Sequence, residues 1–356
     1  MSSLLCFREK LFVSMFVLQI GMAPFLAFSA HALPSVADQL VCRDQVEMAT
    51  PFKICIYVAR EHELDAQRDL TLAFAKIREM DGWMSEWRPQ TVLSQINQSA
   101  GLKPVRVNRE LFGLLAFALE VSRASQGAFD PTFNALWGVY NFKPGSYREP
   151  SEQELKERLP LLDYRKVQLD EKAQTVFLAI SGMRLGLGGL GQGYAVDQIA
   201  DWLRGRGYPA GLVDGSGDTF FWGKKPDGAL WKIGVRDPRY PERVVGHIYG
   251  TDFAVTTCGD DNKFFMVGRR RVHHVIDPHT GRPAQGVRQV TVIAPRALQA
   301  DAYDTAAFVL GAKKGRRLLE RQGLSGIFVT DKEVLPTARL KREATRWGEV
   351  WQVPKW

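Results

Sequence analysis

Segments with strand periodicity and segments with helix periodicity are mixed along this 356-residue chain without regular β-α alternation. That order argues against a doubly wound parallel sheet and for a single α+β unit. Residues 52–58 alternate as a strand does. Residues 64–83 place Leu64, Leu70, Leu72, Phe74, Ile77, Met80 and Trp83 at near-helical spacing. Asn108 can cap a helix reaching to about Ser125, with Gly127 just past its end. Ser151 and Glu154 form a capping-box pattern. A hairpin is expected over 166–179, and a helix from Gly193 to about Arg204. Strands dominate afterwards, at 211–214, 219–222, 231–235, 244–250, 264–267, 289–294 and 327–330. Helices are expected over 301–311 and 313–322. Residues 33–45 read as an irregular lead-in.

The first residues bear on the compartment. Arg8 and Lys10 precede an apolar run from Leu11 to Phe28, and Ala30-His31-Ala32 follows it as a small-x-small cleavage signature. This is the order of a secretory signal peptide. The run is also about long enough to span a bilayer, which takes roughly 20 apolar residues, but Pro24 interrupts it. Cleavage after Ala32 is therefore expected over an uncleaved anchor, leaving residues 33–356 as the mature domain in the periplasm. Cys42, Cys55 and Cys258 remain after cleavage, and an odd number leaves at least one thiol unpaired. Cys42 and Cys55 could pair, although nothing in the sequence requires it. No C-x-x-C occurs, which argues against thiol redox chemistry and structural zinc.

The chain carries 47 Lys+Arg against 39 Asp+Glu. Such a balance suits an anionic partner. No zinc-finger spacing or Lys/Arg block points to nucleic acid, so an anionic small molecule fits better.

Four segments look unlike ordinary core. Leu187-Gly188-Gly189-Leu190-Gly191-Gln192-Gly193-Tyr194 leads into a helix, and glycine there lets backbone N–H groups approach a phosphate closely. The spacing is neither the P-loop nor the dinucleotide fingerprint, and a tight packing turn would look similar. Asp214-Gly215-Ser216-Gly217-Asp218 closes an apolar strand with a polar turn that could line a cleft or simply close a hairpin. Thr256-Thr257-Cys258-Gly259-Asp260 is followed by His273-His274-Val275-Ile276-Asp277-Pro278, where a histidine could serve as general base, bind metal or satisfy local hydrogen bonds. Asp301 and Thr305 lie four apart, on one face of a helix, and a carboxylate beside a hydroxyl is a hard, all-oxygen set suited to magnesium. An Asp that merely caps the helix would give the same pattern.

Together, and in this order, these segments resemble the ApbE-type FAD:protein FMN transferases. The resemblance runs over about residues 46–335. It includes Met48-Ala49-Thr50, the segment Met84 to Asn97, and Gly127-Ala128-Phe129-Asp130-Pro131-Thr132 with Leu136-Trp137-Gly138 behind it. It implies a domain of mixed and antiparallel sheets with packed helices. It also implies transfer of FMN from FAD to a Thr or Ser of an exported flavin-binding protein, such as a subunit of a membrane redox complex, with release of AMP.

By the same resemblance, Asp301, Thr305 and the Gly191 carbonyl would bind Mg²⁺, with Asp304 beside them. Met48 and Trp87 would meet the flavin end. Ala128, Phe129 and Asp130 would line the nucleotide, with Gly188, Tyr194 and Val275 as further FAD contacts. His274 would take the proton of the acceptor hydroxyl, and Asp277 would orient its loop. The chain departs from the family pattern at Gly186 (usually Asp), Gln192 (usually Lys) and Asp261 (usually Tyr), at Thr257-Cys258-Gly259 (usually Thr-Ser-Gly), and at Ser216-Gly217-Asp218 (usually Gly-Gly-Glu). Two other readings use the same residues: an FAD pyrophosphatase yielding FMN and AMP, and a non-catalytic flavin-binding assembly protein.

Overall fold

The computed structural model describes residues 38–136 and 138–340. The signal sequence expected at 1–32 lies outside the described residues. Strands β1 (Gln39–Glu47) and β2 (Thr50–Val58) form a hairpin, followed by helices α1 (Glu63–Met84) and α2 (Val92–Gln98). Then come β3 (Val105–Arg106), α3 (Arg109–Ala124), α4 (Glu152–Arg158), β4 (Val167–Asp170) and β5 (Thr175–Leu178). Helix α5 (Gly191–Gly205) precedes β6 (Gly211–Gly215), β7 (Asp218–Trp222), β8 (Trp231–Asp237), β9 (Tyr240–Gly250) and β10 (Phe253–Gly259). The short strands β11 (Phe264–Val267), β12 (Arg270–His273), β13 (Ile276–Asp277) and β14 (Arg282–Pro283) follow. Last are β15 (Gln289–Ala294), α6 (Ala297–Arg321), β16 (Ser325–Val329) and β17 (Val334–Pro336).

Eight strands build the main sheet in the order β1-β2-β6-β7-β10-β15-β16-β17. Every pairing in it is antiparallel, so the α+β reading holds. Both faces of its middle are covered. Phe220, Ala254, Val290 and Val292 join the large core shared with α1, α3, α5 and α6. Their neighbours Phe221, Val255 and Ile293 turn the other way, onto Trp231, Val235, Val245 and Ile248 of the β8–β9 hairpin. Alternation along each strand produces this split.

The expected irregular lead-in is instead strand β1, paired along its full length with β2. Only Val41 of β1 is buried, because β1 is an edge strand. Its sequence therefore carries little apolar alternation, and the pairing comes from the partner strand. Cys42 and Cys55 face each other in this register and form a disulfide, while Cys258 is free.

Helix α6 begins at Ala297, four residues before the expected start, and Gly311 breaks it with a left-handed φ of 73°. That break falls between the two helices expected from sequence. Helix α5 begins at Gly191, two residues before the expected Gly193.

Candidate active site

The glycine-rich segment runs along the start of α5, and several elements converge on it. Two of its glycines are demanded by packing. A Cβ on Gly193 would lie 2.5 Å from the Ala297 carbonyl oxygen and 2.9 Å from the Asp301 Cβ, so only glycine lets α5 and α6 meet this closely. A Cβ on Gly189 would lie 3.2 Å from the Phe129 ring and 3.4 Å from the Thr305 hydroxyl. Gly191 is the first residue of α5 and faces Leu187 and the Met48 methyl. Gly188 is exposed.

Met48 reaches Gly191 from the tip of the β1–β2 hairpin. Met48 and Ala49 both have positive φ, 49° and 61°. A two-residue hairpin loop needs this conformation, which Asn-Gly usually supplies. Holding a non-glycine pair there stores backbone strain of the kind that collects at functional sites. The Gln192 amide donates to Thr50 Oγ1 at 3.0 Å and ties the tip to α5.

The α6 face beneath the glycines is acidic. Asp301, Asp304 and Asp218 are all buried. Asp301 Oδ2 accepts the Gly193 N–H at 3.0 Å, at the positive end of α5, where Leu190 offers no capping side chain. Burial and the nearby Asp197 still push the Asp301 carboxyl up to about 7. Burial, with Asp301 beside it, raises Asp304 well above the usual carboxylate range, against hydrogen bonds from Thr256 and Thr305. Burial raises Asp218 likewise, with Asp301, Asp304 and Asp214 as the charges acting on it. The free Cys258 belongs to the same cluster, its thiol pushed up by burial and by Asp304.

Three buried carboxylates whose acting charged neighbours are all acidic form a set that a cation would relieve. Among the described residues, no group of three or more His, Cys, Asp or Glu side chains is arranged to hold a metal ion by itself. The donor set does fit magnesium in its usual mode, with few protein oxygens and the rest of the shell from water and phosphate.

The two histidines of the 273–274 pair divide their work. His273 is buried against Phe308 of α6, with ring centroids 5.6 Å apart. Its Nε2 lies 2.9 Å from the Ala284 carbonyl and its Nδ1 accepts the Val275 N–H, so both nitrogens are engaged in the fold. His274 is half-buried; its Nδ1 lies 3.3 Å from the Lys263 carbonyl, and its Nε2 makes no hydrogen bond among the described residues. Burial, with Lys263 beside it, lowers its pKa to about 4, so the imidazole is neutral at pH 7.

Asp277 accepts from His279 at both the backbone N–H and Nδ1, each at 2.9 Å. His279 Nε2 in turn lies 3.0 Å from the Gln126 carbonyl. Asp277 therefore binds the histidine loop to the loop that carries Ala128, Phe129 and Asp130. Val275 is buried between them.

Asp130 is spent on shaping its own loop. It accepts from the Thr132 N–H (2.8 Å), the Thr132 hydroxyl (2.6 Å) and the Tyr164 N–H (3.0 Å). Ala128 and Phe129 are buried beside it. Tyr194 turns toward α1, where its ring meets Trp83 edge-on at 5.9 Å. Trp87 is 53% exposed on the 85–91 loop, which is pinned by the Thr91 hydroxyl donating to the Ser85 carbonyl and by an Arg88–Asp81 ion pair. Its neighbour Glu86 accepts the Leu187 N–H at 2.9 Å, bringing this loop to the glycine segment. Burial pushes the Glu86 carboxyl up to about 7.

The structure thus gathers Met48, Phe129, Gly191, Asp301, Asp304 and Thr305 around the glycine strip, and holds His274, Val275, Asp277, Ala128 and Asp130 on two joined loops. Tyr194 is directed away from this group. Sequence reasoning placed Asp218 in a turn that could line a cleft but gave it no role, and gave none to Asp197 or Glu86. Asp218 closes a polar turn, and only its strand pairing carries it to α6.

Antiparallel sheet, glycine-lined helix start and buried acids define a phosphate-handling α+β enzyme. The sequence pattern of the ApbE family matches residues 48–328. The FAD:protein FMN transferase of Treponema pallidum is 33% identical over 313 residues, covering 83% of this chain and 86% of that protein. One from Klebsiella pneumoniae is 30% identical over 260 residues, covering 72% and 80%. The crystal structure of the ApbE protein of Thermotoga maritima superposes with a TM-score of 0.78 at 29% identity, covering 85% of this chain and 99% of that one. The apo flavinyl transferase ApbE of Pseudomonas stutzeri gives 0.76 at 25% identity, covering 86% and 96%. The chain belongs to the ApbE family of flavin transferases.

Proposed function

We infer that this chain transfers FMN from FAD to a Ser or Thr hydroxyl of an exported protein and releases AMP. The observation that carries the reading is the buried acid set Asp218, Asp301 and Asp304 against the glycine strip, in a chain of this family. The acceptor oxygen attacks the phosphorus of the FMN half, and a new O–P bond forms. The bond from that phosphorus to the bridging oxygen breaks, and the oxygen leaves with AMP. Neutral His274 takes the hydroxyl proton. Asp277 fixes the loop that presents it. Asp301 and Thr305 would hold Mg²⁺, with Asp304 and the Gly191 carbonyl assigned to the same set. Bound there, the ion supplies charge neutralisation at the bridging phosphates. Met48 and Trp87 are assigned to the flavin, and Phe129, Ala128, Gly188 and Val275 to the remaining FAD contacts.

We place the mature domain, residues 33–356, in the periplasm after cleavage behind Ala32. The Cys42–Cys55 disulfide supports that compartment, because such bonds persist where the environment is oxidising.

The test incubates the purified chain with FAD, Mg²⁺ and a flavin-acceptor domain. Covalently fluorescent acceptor and stoichiometric AMP are expected. Free FMN formed equally fast without acceptor would identify a pyrophosphatase, and intact FAD would identify a binding protein.

A further inference from the structure

The glycine strip has an aromatic wall at the end away from Met48. Residues 131–134 run beside 184–186. The Gly186 N–H donates to the Pro131 carbonyl at 2.8 Å, Phe133 bridges Arg184 in parallel, and the Asn134 amide donates to the Leu185 carbonyl at 3.0 Å. A Cβ on Gly186 would lie 3.0 Å from Cε1 and Cζ of Phe133, and one on Gly188 would lie 3.7 Å from Cζ. The ring therefore occupies the space that a side chain at 186 would take. It is nevertheless 37% exposed, above the open Gly188. Beside it, the Nε of Arg184 is buried with no hydrogen-bond partner among the described residues, and Glu86 lies within its electrostatic reach. Along the strip the order is then Phe133 at Gly186 and Gly188, Phe129 and Thr305 at Gly189, and Met48 at Gly191.

We propose that Phe133 is a specificity-determining residue of this enzyme: with Gly186 as its floor and Arg184 beside it, it forms a subsite that takes one planar ring of the dinucleotide substrate. The inference rests on FAD being that substrate. A partly exposed aromatic ring on a glycine floor offers stacking to a heteroaromatic ring.

The test is binding to the full chain with Mg²⁺ and no acceptor protein. FAD, ADP, FMN and inorganic pyrophosphate serve as separate probes. Phe133→Ala and Phe133→Leu should each weaken FAD about tenfold, as loss of one stacked ring does, while Phe133→Tyr stays within about twofold. Gly186→Ala, whose methyl group displaces the ring, should weaken FAD as well. Pyrophosphate affinity should not change in any variant. If the ADP affinity falls with that of FAD, the subsite takes the adenine ring; if FMN falls, it takes the flavin. Unchanged FAD binding in Phe133→Ala, wild-type affinity in Phe133→Leu, or an equal loss for pyrophosphate would each overturn the proposal. AMP release with acceptor present is read separately. Tight FAD binding by the wild type without AMP would sink the transferase reading and leave the subsite standing.

Discussion

Asp197 and Asp301 cap each other's helices. Asp197, on α5, accepts the Ala297 and Leu298 N–H groups at 2.8 and 3.0 Å and so closes the start of α6. Asp301, on α6, accepts the Gly193 N–H at 3.0 Å at the start of α5. Neither helix carries a capping side chain at its own N-cap, Leu190 or Arg296. The proposed cation ligand is thus also a structural cap, and its two roles need separate tests.

Asp197→Ala removes two charge-assisted bonds from the first turn of α6. A loss of about 1–2 kcal/mol in unfolding free energy is expected, read by urea denaturation. Asp301→Asn keeps an oxygen for Gly193 and should lose FMN transfer with a smaller change in stability. Retained transfer in Asp301→Asn would remove this residue from the cation set.

Asp218 contributes repulsion in the metal-free protein. Burial and its acidic neighbours raise its carboxyl, so the folded state binds a proton that the unfolded state has already released at neutral pH. The same holds for Asp301, held near 7. The carboxylate contribution to metal-free stability should therefore fall as pH rises from about 4 to 7, against an opposite contribution from His274, whose lowered pKa adds stability as pH rises over the same range. Asp218→Asn should flatten that fall in thermal melts, and Mg²⁺ should raise the wild-type melting temperature most at the upper end. A stability of wild type relative to Asp218→Asn that does not fall across this interval would contradict the assignment.

His274 is held neutral down to about pH 4. The single-turnover transfer rate should show no acid limb at the ordinary histidine pKa near 6.5. His274→Ala should cost roughly 10²- to 10⁴-fold in transfer and leave FAD affinity intact. His273→Ala should instead destabilise the fold, because it empties the contact with Phe308 and leaves the Ala284 carbonyl unpaired.

Gly193→Ala would press a methyl group onto the Ala297 carbonyl and the Asp301 Cβ. Separation of α5 from α6 should cost about 1–3 kcal/mol and weaken the metal response together with stability. A neutral effect on both would show that the two helices tolerate a wider spacing.

The fold class and most long helices were legible from sequence because their signals are local. Helix α1, the Asn108 cap of α3 and the Ser151–Glu154 box of α4 are all observed, although Leu64 and Leu72 of the α1 pattern face solvent. Signals that come from a distant partner were not legible. Strand β1 is an edge strand with one buried side chain, and α6 starts early because Asp197 caps it from 100 residues away. Near the glycine strip, Asp301 and Thr305 lie four apart on α6, as their spacing in the sequence implies. Asp218 is brought to them by β7 of the sheet, and Phe133 meets Gly186 across 53 residues, so no window of the sequence shows either contact.

The β1–β2 hairpin is pinned covalently at Cys42–Cys55, five residue pairs from the strained Met48-Ala49 tip. A slip of one residue would turn every side chain of β1 to the opposite face and carry Met48 away from Gly191. The disulfide excludes that slip, so a covalent bond five pairs away fixes where Met48 meets Gly191. A chain held in a reducing environment would keep its hairpin tip in place by hydrogen bonds and packing alone.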